Sequence, residues 1–205
     1  MLSTTKYATG FSSGALLLKE ADALVYQIDD AEEFMHGNLS LNYTVIPVNS
    51  ESSKKRLGIE VVKRLRNTQN PIFIEFYKTG TLQDKQLILF YAACKTYALI
   101  VDFMLEIVLN KWYNLDFELS SNDFQNYIYR IMGNYTELEN LTPYTIKKLS
   151  HVVLKMLNQI GIVHEYKLHK VEFNGQILKT IAHQGDIWFL ELLFLSKQER
   201  NELTD

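Results

Sequence analysis

The chain has 205 residues, 47% of them hydrophobic and 12% aromatic, with three prolines, nine glycines and a formal net charge of −3. That length makes one large domain or two small ones with a real core, and the apolar content excludes a disordered chain. The charge excludes a histone-like polycation, so any grip on a polyanion has to come from local patches.

Residues 1–12 read as irregular. Ser13 is placed to cap a helix reaching about Gln27, with Leu16, Leu17, Ala23, Leu24 and Ile28 turned inward. Asp29, Asp30, Glu32 and Glu33 lead into a short second helix that stops near Gly37. Asn38 to Val48 reads as loop or short extended segment, broken at Pro47.

Next comes a basic helix ending at Arg66, with Ser52 or Ser53 as its N-cap. From Glu51 to Arg66, the six cations Lys54, Lys55, Arg56, Lys63, Arg64 and Arg66 stand against Glu51 and Glu60, a balance of +6 − 2 = +4. Leu57, Val61, Val62 and Leu65 form a core stripe, and Lys55, Arg56, Lys63 and Arg66 share an arc of about 100° on the far side. Cations in the first turn oppose the helix dipole, a cost that a nearby phosphate removes. The plain alternative is a solvated charged face.

Asn70 reads as the cap of a further helix, Pro71 as its first position and Gly80 as its C′ residue, with Ile72, Phe73 and Phe76 apolar. Asp84 caps a long central helix running to about Tyr113. Within it, Leu87 to Leu109 is the segment most like a membrane span. Its longest charge-free run, Gln86 to Cys94, is nine residues, against the roughly 20 that a span needs. Lys95, Asp102 and Glu106 fall on one narrow stripe, as in the central helix of a bundle with a structural salt-bridge cluster. Ser120 to Met132 reads as helix, with Phe124, Tyr127, Ile128 and Ile131 on one face and Gly133 ending it.

In the final third, Thr142 is an N-cap, Pro143 the first helical residue, and Leu141 a staple onto Ile146. This helix runs to Ile160 and stops at Gly161. Ile146, Leu149, Val153, Met156, Leu157 and Ile160 face the core; Tyr144, Lys147, Lys148, His151 and Lys155 share the opposite arc. Tyr166 to Phe173 and Gln176 to Ile181 flank Asn174-Gly175 and read as a β-hairpin carrying Lys167, Lys170 and Lys179. From Pro143 to Lys170, five lysines face one acid, Glu165. A helix with basic and aromatic outer turns followed by a basic hairpin is the arrangement of a winged-helix reader of double-stranded DNA. A last helix, Asp186 to Arg200, carries Trp188, Phe189, Leu192, Leu193 and Leu195, a stripe suited to core or to a dimer seam.

Catalytic constellations do not emerge. The sequence contains no phosphate-binding Gly-rich loop, no Gly-x-Ser-x-Gly and no Cys-x-x-Cys. His164 and His169 are five apart, a spacing that suits neither a helical nor a strand metal pair. His36 and His183 stand alone. Cys94 reads as a small buried hydrophobe, and a single cysteine fits a reducing compartment. The sequence therefore points to a non-enzymatic cytoplasmic protein with no metal, cofactor, small-molecule substrate or membrane contact. Its fold class is mainly α, a multi-helix bundle with winged-helix-like parts and a small C-terminal β-hairpin. The expected divisions are 1–80, 81–140 and 141–205, the last two readable as one domain. The second reading is a protein–protein adaptor using the acidic Asp29 to Glu33 region and the apolar last helix, with no direct DNA role.

The ordered signatures carry a family resemblance. They are Gly-Ala-Leu-Leu-Leu-Lys-Glu (Gly14 to Glu20), the basic run Lys54 to Arg66, Val-Asp-Phe-Met (Val101 to Met104), Leu-Thr-Pro-Tyr-Thr-Ile-Lys-Lys-Leu (Leu141 to Leu149) and Leu-Asn-Gln-Ile-Gly-Ile-Val (Leu157 to Val163). Together they resemble the BrxA family, small accessory proteins of bacterial BREX phage-defence systems, from about Tyr7 to Leu195. The chain departs from that pattern at Lys54-Lys55, where the family tends to have Thr-Ala before the arginine matching Arg56. The resemblance implies a mostly helical, cytoplasmic, DNA-binding antiviral defence protein that is not an enzyme. It also implies work beside other BREX components: a DNA methyltransferase, an ATPase and a protease-like factor. A membrane label on the family would have to rest on residues 87–109, whose charges argue against it.

Overall fold

Tyr97 is extended (φ −130°, ψ 92°) and interrupts what reads from the sequence as one helix from Asp84 to about Tyr113. In the computed structural model, which describes residues 7–204, two units divide at this point. One is Leu16–Thr96; the other is Tyr97 onward together with the residues up to Ala15. Neither boundary falls at 80/81 or 140/141. The helix that ends at Thr96 packs on the two before it, and the helix that follows Thr142 packs on the one that follows Ser120.

The Leu16–Thr96 unit holds α1 (Leu18–Val25), α2 (Ala31–His36), α3 (Glu51–Arg66), α4 (Ile72–Thr79) and α5 (Leu82–Thr96). Ser13 does not cap α1. Its hydroxyl donates to the Gly10 carbonyl (2.9 Å) in a 3-10 turn, Gly10–Ser13, and α1 begins only after Leu17, which is left-handed (φ 59°). Asp30 caps α2 and Gly37 (φ 86°) closes it. The basic helix α3 starts earlier than its serines suggest, with Ser50 as N-cap. Leu57, Val61, Val62 and Leu65 are buried as the stripe requires. Asn70 Oδ1 accepts from the Ile72 amide (3.1 Å) at the start of α4. Thr81, not Asp84, occupies the cap position of α5, and the two exchange bonds: Thr81 N donates to Asp84 Oδ2 (2.9 Å) and Asp84 N to Thr81 Oγ1 (3.2 Å). Leu87 to Cys94 are buried without interruption. Burial also pushes the Cys94 thiol far above its usual range. Among the described residues no single helix is long and apolar enough to cross a membrane.

The other unit holds α6 (Ala98–Phe103), a π-helical turn (Met104–Val108), α7 (Leu109–Tyr113), α8 (Ser121–Ile131), α9 (Thr136–Glu139), α10 (Pro143–Gln159), β1 (Val163–His164), β2 (Lys167–Leu168), α11 (Gly175–His183), α12 (Ile187–Leu192) and α13 (Lys197–Glu202). Its early residues are pinned in place. Tyr7 N donates to Glu137 Oε1 and Tyr7 Oη to Asp102 Oδ2, both at 2.6 Å, and Phe11 meets Tyr97 edge to face at 5.2 Å. Because the helix breaks at Tyr97, the expected Lys95–Asp102–Glu106 stripe does not form on one helix. Asp102 serves Tyr7, and Glu106 pairs with Arg130 (2.7 Å). Phe103, Phe124 and Tyr127 form an aromatic core between the α6 segment and α8.

The fold is mainly α with one small antiparallel sheet, as expected, but the hairpin lies elsewhere. Val163 pairs with Leu168 and His164 with Lys167. The turn residues Glu165 (φ 48°) and Tyr166 (φ 63°) both take the left-handed conformation that a two-residue hairpin demands. Residues 117–119 run beside β2: Leu168 N donates to the Phe117 carbonyl (2.7 Å) and Leu119 N to the Tyr166 carbonyl (2.8 Å). Asn174-Gly175 opens α11 instead. Asn174 (φ −59°) accepts from the Gln176 amide with its side chain. Asn is as good an N-cap as it is a turn residue, and Ile177, Leu178, Ile181 and Ala182 supply a buried helical stripe that decides the outcome. The last predicted helix is split at Phe194 (φ 63°), which stacks on Trp112 at 4.3 Å. Phe189, Leu192, Leu193 and Leu195 are buried and belong to the core, whereas Trp188 of the same stripe is half-buried.

Candidate nucleic-acid interface

The two basic helices present very different surfaces. On α3 much of the charge is consumed internally. Arg64 is only 1% exposed, and its Nε donates to Glu60 Oε1 at 2.7 Å; it is not on the surface, contrary to its place among the predicted phosphate contacts. Lys54 pairs with Glu51 (2.7 Å) across the first turn. Arg66 gives its Nε to the Phe34 carbonyl (2.8 Å) and lies over the Phe34 ring (5.0 Å), which ties α3 to α2. Lys55, Arg56 and Lys63 are exposed. A charge count along the sequence cannot separate cations that hold the fold from cations that face water.

Helix α10 keeps its charge outside. Thr142 caps it, accepting from the Thr145 amide (3.1 Å), and Pro143 begins it. Ile146, Leu149, Val153, Met156 and Leu157 are buried, which turns Tyr144, Lys147, Lys148, His151 and Lys155 to solvent. These five line one shallow depression of about 420 Å³. No Asp or Glu occurs in α10, and among the described residues Lys147, Lys148 and Lys155 make no salt bridge. Beside the second half of α10 lies a groove of about 510 Å³ lined by His151, Lys155 and Asn158 and by Glu165 and Tyr166 of the hairpin turn. Lys167 is exposed on β2. Tyr166 and the 117–119 strand are the parts of this surface that sequence reasoning missed. Glu-Tyr carries no turn signal, and three residues are too few to show alternation.

Two of the predicted hairpin lysines lie elsewhere. Lys179 is exposed on α11. Lys170 follows the hairpin and binds Glu199 Oε1 at 2.6 Å. That contact, with the Ser196 backbone and hydroxyl bonds, draws the Glu199 carboxyl down to about 2 from an ordinary 4.5. A depressed carboxyl stabilises the fold above its ordinary pKa and loses that contribution as pH falls from about 4.5 towards 2. Both side chains are about two-fifths exposed, so the contribution is at most about 1 kcal/mol. Melting temperatures taken across that window should fall less steeply for Glu199→Gln than for the unaltered chain.

A third cavity, about 390 Å³, adjoins the π-helical turn. Its charges are matched among themselves: Arg130 with Glu106 (2.7 Å), and Lys111 with Asp116 (2.7 Å) and Asp123 (3.4 Å). The Asp116 contact holds Lys111 above its usual range. Among the described residues no cluster of His, Cys, Asp or Glu could hold a metal ion.

These features define a helical protein with a small antiparallel sheet beside a solvent-facing basic helix. A family model, BrxA, matches residues 5–185, and the chain belongs to the BrxA family. It is similar to "BREX protein BrxA" of Bacillus cereus (strain H3081.97), 22% identical over 198 residues, which cover 94% of this chain and 98% of that relative. A crystal structure of an uncharacterized protein from Magnetospirillum magneticum has the same fold, with a TM-score of 0.73 at 18% identity over 92% of this chain and 98% of the other.

Proposed function

We propose that this chain is a non-catalytic component of a BREX phage-defence system that binds double-stranded DNA through α10 and the adjoining hairpin. The carrying observation is the outer face of α10: three lysines, a histidine and a tyrosine in one exposed strip, on a helix without a carboxylate. The chain order around it supports a winged-helix reading: the extended segment 117–119, α8, α9, α10, then the β1–β2 hairpin, whose β2 is bridged to that segment at Glu118. In such a reader the second helix enters the major groove and the hairpin touches backbone. The strip's charge comes from lysines, which meet phosphates as point charges, and binding is governed chiefly by those contacts. Lys55, Arg56 and Lys63 of α3 form a secondary basic surface, and other BREX components, in the cytoplasm, are its protein partners.

Salt titration tests this. Lys147, Lys148, Lys155 and Lys167 on phosphates give a log–log slope of affinity against salt of about −3.6, at about −0.9 per contact. A gel-shift series on plain duplex should return a slope of about that size. A slope near zero, or partner proteins that stay bound through nuclease and high salt while no duplex is shifted, would replace this reading with the adaptor one.

A further inference from the structure

We propose that Tyr144 and Tyr166, at the two ends of the α10 strip, stack on unpaired bases, so that this surface prefers DNA containing unstacked nucleotides to uninterrupted duplex. The inference rests on the DNA-binding reading above and refines what kind of DNA that site takes. Tyr144 is 78% exposed and Tyr166 73%, and neither hydroxyl is held by a hydrogen bond within the described residues. Tyr166 keeps its ring in solvent from a left-handed backbone position (φ 63°), where Asn or Gly would be the relaxed choice. The two-residue hairpin sets that conformation, and the side chain it presents to solvent is aromatic. Each ring borders a hollow that carries lysine: Tyr144 with Lys147, Lys148 and His151, and Tyr166 with His151, Lys155 and the carboxylate Glu165. Tyr144 and Lys155 are eleven positions apart on α10, about 16 Å at the helical rise.

Cations answer phosphates, but an exposed aromatic face needs a flat apolar partner. In intact duplex the base faces are covered by their neighbours. Unpaired bases offer free faces, and aromatic side chains beside a basic track are how such strands are held. The competing mode is a tyrosine hydroxyl donating to a phosphate, which would need no unpaired base.

Fluorescence anisotropy with two labelled probes decides between them: a fully paired duplex, and the same duplex with a short unpaired bulge. The unaltered protein should bind the bulged probe more tightly. Tyr144→Ala and Tyr166→Ala should each weaken that binding between about 5- and 100-fold, with less than about a twofold change on paired duplex. Tyr144→Phe and Tyr166→Phe should keep the preference, and unchanged melting temperatures should establish that every variant is folded. Equal affinity of the unaltered protein for both probes, or Phe variants failing as the Ala variants do, overturns the stacking proposal. A Lys147→Glu/Lys148→Glu/Lys155→Glu variant separates the two levels. If it binds both probes as the unaltered chain does, the placing of DNA on α10 is wrong, and stacking at its two ends falls with it. If it loses both while the tyrosine variants leave the probe preference untouched, stacking alone is wrong.

Discussion

Reversing Lys147, Lys148 and Lys155 together to Glu should lower affinity for duplex DNA roughly a hundredfold, and flatten its salt dependence by about 2.7 log units per decade of salt. That size is expected if the proposed interface loses three phosphate contacts at once, each with its share of counterion release. The fold survives, because all three side chains are exposed and none is engaged in an ion pair among the described residues. A parallel Lys55→Glu/Arg56→Glu variant should lose less than about tenfold, since it removes two contacts from a surface we rank second. Gel shifts at two salt concentrations, with circular dichroism as the folding control, measure both. Undiminished binding in the triple variant would remove α10 from the interface.

Glu60→Ala should destabilise the protein, by up to about 3–5 kcal/mol, because it removes the carboxylate that pairs with the Arg64 guanidinium at 2.7 Å where that side chain is 1% exposed. Burying a charge is tolerable only when paired and bonded. Replacing both partners with apolar residues of similar volume, Glu60→Leu with Arg64→Met, should recover most of the loss, since no charge is then left without its counter-ion. Urea unfolding of the full chain compares the three. A Glu60→Ala protein as stable as the unaltered one would mean that Arg64 draws its compensation from other groups. This result also bears on any DNA-binding assay, because a single substitution at buried Arg64 that lowers stability would mimic the loss of a phosphate contact.

Periodicity was legible in the sequence, and punctuation only in part. The apolar stripes of α3, α8 and α10 are buried as their period requires, and Thr142 and Asn70 bond the first-turn amides expected of them. Ser13, Ser52 or Ser53, and Asp84 are not the caps that the sequence suggests, because several polar residues near each helix start could serve and packing chose a neighbour. Breaks made by backbone conformation alone were not legible. Leu17, Tyr97 and Phe194 interrupt helices without Gly or Pro to announce them, because tertiary contacts, such as Phe194 on Trp112, hold residues away from their local preference. Asn174-Gly175 misled for the opposite reason: its chemistry serves two structures, and packing of the residues after it chose between them. At the candidate site the same division holds. The α10 strip could be read from period and cap, whereas the inward turn of Arg64 depends on what lies against α3, and nothing along the chain records that.

The anchoring of Tyr7 and Phe11 to residues from Tyr97 and beyond means that the unit carrying α10 is assembled from discontinuous stretches of chain. During synthesis Leu16–Thr96 emerges as an unbroken piece able to close early, whereas its companion has to wait for the ribosome to deliver the later helices. Any fragment cut to begin after Ala15 would leave Tyr97 and Asp102 stripped of their cover, so the two halves are not interchangeable as stand-alone pieces.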